Sequence, residues 1–141
     1  MQDLMNRIHV VPAIAPQVGT TDAAMVSAII DRQGYESATF AIATGVLTDA
    51  DATFAVLLED GDAANLSDNV AVPDEQLIGT EALAGFAFGD DGESRKLGYR
   101  GNKRYLRLTI TPTGNAAGNA PISAVCILGH ANQAATANPP Q

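Results

Sequence analysis

The sequence has no tryptophan, one cysteine and only seven aromatic residues, four Phe and three Tyr. Its core must therefore be built from small and β-branched side chains rather than large rings. The lone Cys126 excludes an internal disulfide and any multi-cysteine metal site. It stands in an alternating apolar run, where a cysteine acts as a small buried hydrophobe. No apolar run approaches the ~20 residues that a bilayer-spanning helix requires. The first residues lack the basic start of a signal peptide, and Pro12 and Pro16 interrupt the early apolar run. The chain is thus expected to be soluble, without membrane contact, and made in the cytoplasm.

Acids are missing from the last third of the chain, and bases from almost everywhere else. All sixteen Asp and Glu lie before position 95, where Arg7 and Arg32 are the only bases, giving 2 − 16 = −14. Residues 95–107 hold the other six bases and no acid, and 108–141 hold no charge, so −14 + 6 + 0 = −8. Either the basic segment lies across the acidic body of its own chain, or it meets an acidic surface elsewhere. The excess of negative charge argues against nucleic acid as a partner, because most of the surface would repel a polyanion.

The basic segment, Leu97 to Thr111, reads as a tight β-hairpin with Arg100, Gly101, Asn102 and Lys103 in its turn. Gly98 and Gly101 supply backbone freedom for the reversal. Its second arm alternates with period two: Tyr105, Arg107 and Thr109 on a wet face, Leu106, Leu108 and Ile110 on a dry one. Arg100, Lys103, Arg104, Tyr105 and Arg107 are the candidate partner-binding residues. Arg suits bidentate carboxylate pairing, and Arg107 shares a face with Tyr105.

Elsewhere, residues 1–7 read as a polar arm. Ile8 to Ala15 can be an edge strand at best, because its prolines remove ladder donors. Gln17 to Asp22 reads as a turn. Met25 to Asp31 reads as one strand with Val26, Ala28 and Ile30 on one face. After the Gln33-Gly34 turn, Ser37 to Thr44 returns with Ala38, Phe40 and Ile42 inward, and Thr53 to Glu59 carries Phe54, Val56 and Leu58 on one side. Val70 and Val72 suggest a brief strand, Pro73 to Gln76 a first helical turn, and Ala82 to Phe88 a weak strand. Thr113 to Asn119 is a loop. Pro121 to His130 is a strand apolar on both faces, which places it centrally. Residues 131–141 read as a flexible tail. The pattern predicts an all-β fold: one antiparallel β-sandwich or jelly-roll-like domain over 8–130, with flexible terminal arms at 1–7 and 131–141.

Catalytic and metal signatures are sparse. His9 and His130 each end an apolar strand, without a Cys, Asp or Ser at a catalytic or ligand spacing. Asp60, Asp62, Asn65, Asp68 and Asn69 resemble the oxygen-rich clusters that bind calcium. They lack the closing bidentate Glu of an EF-hand, so a solvated acidic loop is expected. Gly98 to Gly101 opens no helix and carries no Lys-Ser/Thr, so it is not a phosphate loop. No cofactor, metal or enzymatic activity is expected.

The succession IIDRQGY, LLEDGD, QLIGT, GYRGNKRYLRLTITPTG and ISAVCILGH resembles a family of small structural proteins of tailed bacteriophages and prophages. The likeness spans about residues 28–130. Gly98 to Arg107 is its most specific part, and Val125 to His130 the next. Where the family has an aromatic after the Asp-Gly turn, this chain has Leu66 or Val70. The resemblance implies a virion structural protein, foremost a capsid decoration (cement) protein on the outer face of the major capsid lattice. The implied partners are the major capsid protein and, as a dimer or trimer, further copies of the chain. A head–tail connector or tail-associated protein is the alternative within that setting. From another class, a carbohydrate-binding β-sandwich module is disfavoured by the shortage of aromatics.

Overall fold

The structure, a computed structural model, describes residues 2–133 and 135–138, and among these the period-two segments form eleven strands. They are β1 (Ile8–Gly19), β2 (Met25–Val26), β3 (Ile30–Asp31), β4 (Tyr35–Thr44), β5 (Thr53–Gly61) and β6 (Val70–Ala71). Then come β7 (Leu77–Ile78), β8 (Phe86–Ala87), β9 (Ser94–Tyr99), β10 (Tyr105–Thr113) and β11 (Ala120–Ala131). The only α-helix among the described residues is α1 (Glu81–Ala84), whose Thr80 cap accepts the Leu83 N–H at 3.1 Å.

Two antiparallel sheets result, in the orders β1-β11-β4-β9-β7 and β2-β10-β5-β6, with β3 beside β10 and β8 beside β5. They pack as a sandwich. From the first sheet Phe40, Ile42, Leu97, Ile122, Cys126 and Leu128 turn inward, and from the second Phe54, Leu58, Leu106, Leu108 and Ile110. β4, β5 and β10 bury the faces that their alternation predicts, and β11 lies between β1 and β4 as its two apolar faces require. Cys126 is fully buried, and the loss of water pushes its thiol up to about 12.

Leu97 to Thr111 is not a hairpin. β9 pairs with β4 and β7 in one sheet, whereas β10 pairs with β2, β3 and β5 in the other. Residues 100–104 are a corner that carries the chain between sheets. Alternation reveals that an arm has a dry face, but not which sheet receives it. The two glycines serve close approach rather than reversal. A Cβ at Gly98 would lie 2.9 Å from Ile78 Cβ, and one at Gly101 would lie 2.4 Å from the Tyr99 hydroxyl.

Other segments also depart from expectation. β1 is indeed an edge strand, but it runs on through Gln17 to Gly19, with register shifts that absorb Pro16. Ala82 to Phe88 divides into α1 and the two-residue β8. Met25 to Asp31 breaks in the middle, where Ser27 leaves the alternation. The Ser27 N–H donates to the Leu108 carbonyl at 2.8 Å, its Oγ accepts the Leu108 N–H at 2.9 Å, and the Ala28 N–H turns to the Ala13 carbonyl on β1 at 2.9 Å. The segment thereby joins the edges of both sheets and changes phase. Val26 is 53% exposed while Ile30 is 1% exposed.

The tail segment up to Asn138 lies back on the start of the chain: the Thr136 N–H donates to the Asn6 carbonyl at 3.1 Å, and its hydroxyl donates to the Ile8 carbonyl. Residues 1, 134 and 139–141 of the expected arms lie outside the described residues.

The phase change is testable by chemical denaturation. Ile30→Ala should cost about 2–4 kcal/mol and Val26→Ala less than about 1 kcal/mol. Equal costs would restore the single-faced strand.

Candidate partner-binding surface

The corner at residues 100–104 is held from beneath by three side chains. Continuing the inward alternation of β5 one step past Phe54, Val56 and Leu58 places Asp60 inside the sandwich, at 2% exposure. Across the gap, Tyr99 ends β9 with its side chain inward, and its hydroxyl donates to Asp60 Oδ2 at 2.7 Å. The same hydroxyl accepts the Lys103 N–H at 3.0 Å. Arg32 completes the arrangement. Its Nη2 donates to the Gly101 carbonyl at 3.2 Å and its Nε to the Lys103 carbonyl. Its guanidinium lies 5.5 Å from the Tyr99 ring centre, within cation–π range. The backbone N–H of Arg32 donates to the Arg104 carbonyl at 3.0 Å. The corner's backbone polar groups thus find partners from both sheets.

Above this layer lie the basic side chains singled out in the sequence, and each has a partner within the chain. Arg104 forks onto Asp31 through Nε at 2.9 Å and Nη2 at 2.8 Å, with its guanidinium 5.0 Å from the Tyr105 ring centre. Arg107 holds Glu59 Oε2 with Nη2 at 2.8 Å and Nε at 3.1 Å. Lys103 meets Asp62 at 2.5 Å. Arg100 donates from Nε to the Glu75 carbonyl at 2.8 Å and from its backbone N–H to the Gln76 carbonyl at 2.9 Å. At the far end of β9, Arg95 pairs with Asp90 at 3.1 Å and also with Glu93. Of the two arrangements open from the sequence, the one across the chain's own acids is therefore present.

These pairs also face solvent. Arg104 and Asp31 are each 44% exposed at their side chains, and Lys103 is 40% exposed. Arg100, which has no carboxylate partner among the described residues, is exposed. The surface thus offers exposed cations at the corner, with Arg104 over Tyr105. Arg104 lowers the pKa of the Asp31 carboxyl through their hydrogen bonds, and Asp62 raises that of the Lys103 ammonium.

The acidic loop closes on itself. Asp62 pairs with Lys103, and Asp68 accepts the N–H groups of Asp62 at 2.8 Å and Ala63 at 3.1 Å, bonds that lower its pKa. Asp60 belongs to β5 and the core instead of the solvated loop that the sequence suggested. Leu66, at the place of the family's aromatic, is buried at 2% exposure with φ 51°, whereas Val70 is 56% exposed. His9 stacks on Tyr35 at 5.6 Å, and His130 Nδ1 lies 2.9 Å from Ser37 Oγ. Among the described residues, no three His, Cys, Asp or Glu side chains gather as a metal site.

Sequence reasoning singled out the basic side chains but did not foresee that Arg32, Tyr99 and Asp60 join beneath them. For Asp60 the signal was present, since it is the next inward position of an apolar alternation.

The buried phenol sets a pH dependence. Burial first, and then the hydrogen bond to Asp60, raise the pKa of Tyr99 well above its ordinary 10.0. The stability it contributes is complete below about pH 10 and is lost as pH rises through the folded-state value. Asp31 has the opposite sign: its contribution is present above about pH 4 and is lost as pH falls through its lowered value. Melting temperature measured against pH should therefore fall at both extremes. Tyr99→Phe should flatten the alkaline limb and Asp31→Asn the acid limb. An alkaline limb unchanged in Tyr99→Phe would contradict the assignment.

No family model matches the sequence, and no curated protein matches it. Among solved structures, a chain in the structure of infectious bursal disease virus, Gx strain, is similar with a TM-score of 0.53 and 12% identity. The match covers 90% of this chain and 33% of the viral one, so this chain spans a third of that chain's length. A Clostridium thermocellum xylanase 10B comprising CBM22-1 and GH10 modules gives a TM-score of 0.44 at 11% identity, covering 95% of this chain and 28% of that one. A chain of disulfide-linked pili from Bacillus endospore appendages gives 0.40 at 11% identity, covering 92% and 95%. The first likeness is one of fold, and it links this sandwich distantly to a viral chain.

Proposed function

We propose that this protein is a virion structural component of a tailed phage. In this reading it binds the outer face of the capsid lattice as a decoration protein, acting by contact and not by catalysis. One observation carries the reading. Gly98 to Arg107, the most specific part of the resemblance, is the stretch that builds the corner. Gly98 and Gly101 leave room that no other residue would, and Tyr99 is the partner of buried Asp60. A likeness concentrated there is a likeness in the element that joins the two sheets. The distant similarity of fold to a chain of another virus agrees with a structural role.

The corner also supplies the docking chemistry. A partner with an acidic surface would meet Arg100 directly and compete with Asp31 for Arg104. Lys103, Tyr105 and Arg107 would border that contact.

Localisation in intact particles tests the role. Copies spread over the whole head are expected. A single ring at one vertex would favour the connector alternative, and absence from particles would overturn both. Attachment to undecorated particles tests the surface. Arg100→Glu combined with Arg104→Glu should reduce bound copies to background while circular dichroism shows the fold kept, although loss of the Arg104–Asp31 pair lowers the melting temperature, and added salt should weaken wild-type attachment. Normal binding by the double variant would leave the corner a purely internal device.

A further inference from the structure

The outer face of the five-stranded sheet breaks the rule that a sandwich is apolar inside and polar outside. In β11, Val125 and Ile127 alternate with buried Ala124, Cys126 and Leu128, so they point away from the core. The register sets Val125 beside Pro12 and Ala41, and Ile127 beside Val10 and Thr39. A strand apolar on both faces is the pattern of a strand covered on both faces. Here the other sheet covers one side, and the arm from Gln2 to Arg7 borders the outer side along Ser37, Thr39 and Ile127, leaving the part around Val125, Ala41 and Ser123 open.

Charge indicates what covers the rest. Of the sixteen acids, only Glu36 lies in any strand of this sheet, near its end and in the inward phase of β4. Among the described residues, Lys96, next to Ala41, is the charge on the strands' outward positions, and Arg7 of the arm borders the face beside Ile127. The excess of negative charge therefore resides in the loops and the other sheet. Two identical acidic chains repel wherever their carboxylates meet, and this face lets them approach without that cost.

Size and shape agree. The long strands β1, β11 and β4 with the six-residue β9, about 4.8 Å apart, offer roughly 500 Å² per copy, so a face-to-face pair comes to the lower edge of specific interfaces. The small side chains of Ala41, Thr39 and Ser123 leave a surface flat enough for a sheet to stack on it at about 10 Å.

We propose that this face closes on the same face of a second copy, giving a twofold dimer with four stacked sheets. The proposal does not depend on the particle-binding role, because it concerns the free protein.

Sedimentation velocity of the full chain, from low micromolar to several hundred micromolar, tests it. A dimer that dissociates on dilution is expected. Added salt should strengthen it by screening the acids, opposite to its effect on corner attachment. Val125→Glu or Ser123→Glu places a carboxylate in both halves of a twofold interface, away from the cross-strand partner of Lys96, and should weaken association at least about tenfold without lowering the melting temperature appreciably. Should Val125→Glu lose its fold, Ser123→Glu and Ala43→Glu, at smaller outward side chains, carry the test. Leu57→Glu, on the outer face of the other sheet, should leave the dimer intact. A wild-type protein that stays monomeric throughout overturns the proposal. So does a dimer broken by Leu57→Glu and untouched by Ser123→Glu.

Discussion

The bond from the Tyr99 hydroxyl to Asp60 is the interaction on which the corner depends. Asp60 ends an inward apolar series on β5, and a carboxylate there without a partner would be costly enough to disfavour the fold. Tyr99 reaches it from the other sheet, so the bond fixes where the end of β9 sits over β5. Arg32 then ties the corner's carbonyls to the segment after β3, and Lys103 adds its N–H to the same phenol. Gly101 is small because the Tyr99 hydroxyl fills the space beside it, and Gly98 because Ile78 of β7 does.

The charge split follows from the same geometry. Bases that look free in the sequence lie next to acids contributed by β3, β5 and the loops, and the pairs Arg104–Asp31, Arg107–Glu59 and Lys103–Asp62 line one region. The half-exposed pairs Arg104–Asp31 and Lys103–Asp62 contribute little to stability, yet they leave cations accessible to a competing carboxylate, whereas Arg107–Glu59 is mostly buried. The outer face of the five-stranded sheet is the opposite kind of surface, nearly uncharged and built of small or branched side chains. The protein thus has one surface suited to charged partners and one suited to its own kind, and salt should act on them in opposite directions.

Much of the fold was legible in the sequence, and the limits were physical. Period two located the buried faces of β4, β5 and β10, and the two apolar faces of β11 put it inside a sheet. Alternation does not name the partner strand, so β9 and β10 were read as a hairpin although they belong to different sheets. The same limit hid the break at Ser27, where a small hydroxyl side chain bonds to the backbone and shifts the phase. At the candidate surface the exposed bases were legible from charge, whereas their partners were not. Asp31, Glu59 and Asp62 stand 41 to 73 residues away from Lys103, Arg104 and Arg107 in the chain. Asp60 was hidden by its neighbours, because it sits in an acidic run that also reads as a loop.

A double-mutant cycle on Tyr99 and Asp60 tests the account at its centre. Stabilities of the wild type, Tyr99→Phe, Asp60→Ala and the double variant would be measured by chemical denaturation. If the phenol and the carboxylate hold the two sheets through one buried bond, the two losses are not additive, and a coupling of about 1–3 kcal/mol remains. Additive losses, with a coupling near zero, would mean that the corner stands without that bond and would contradict the account.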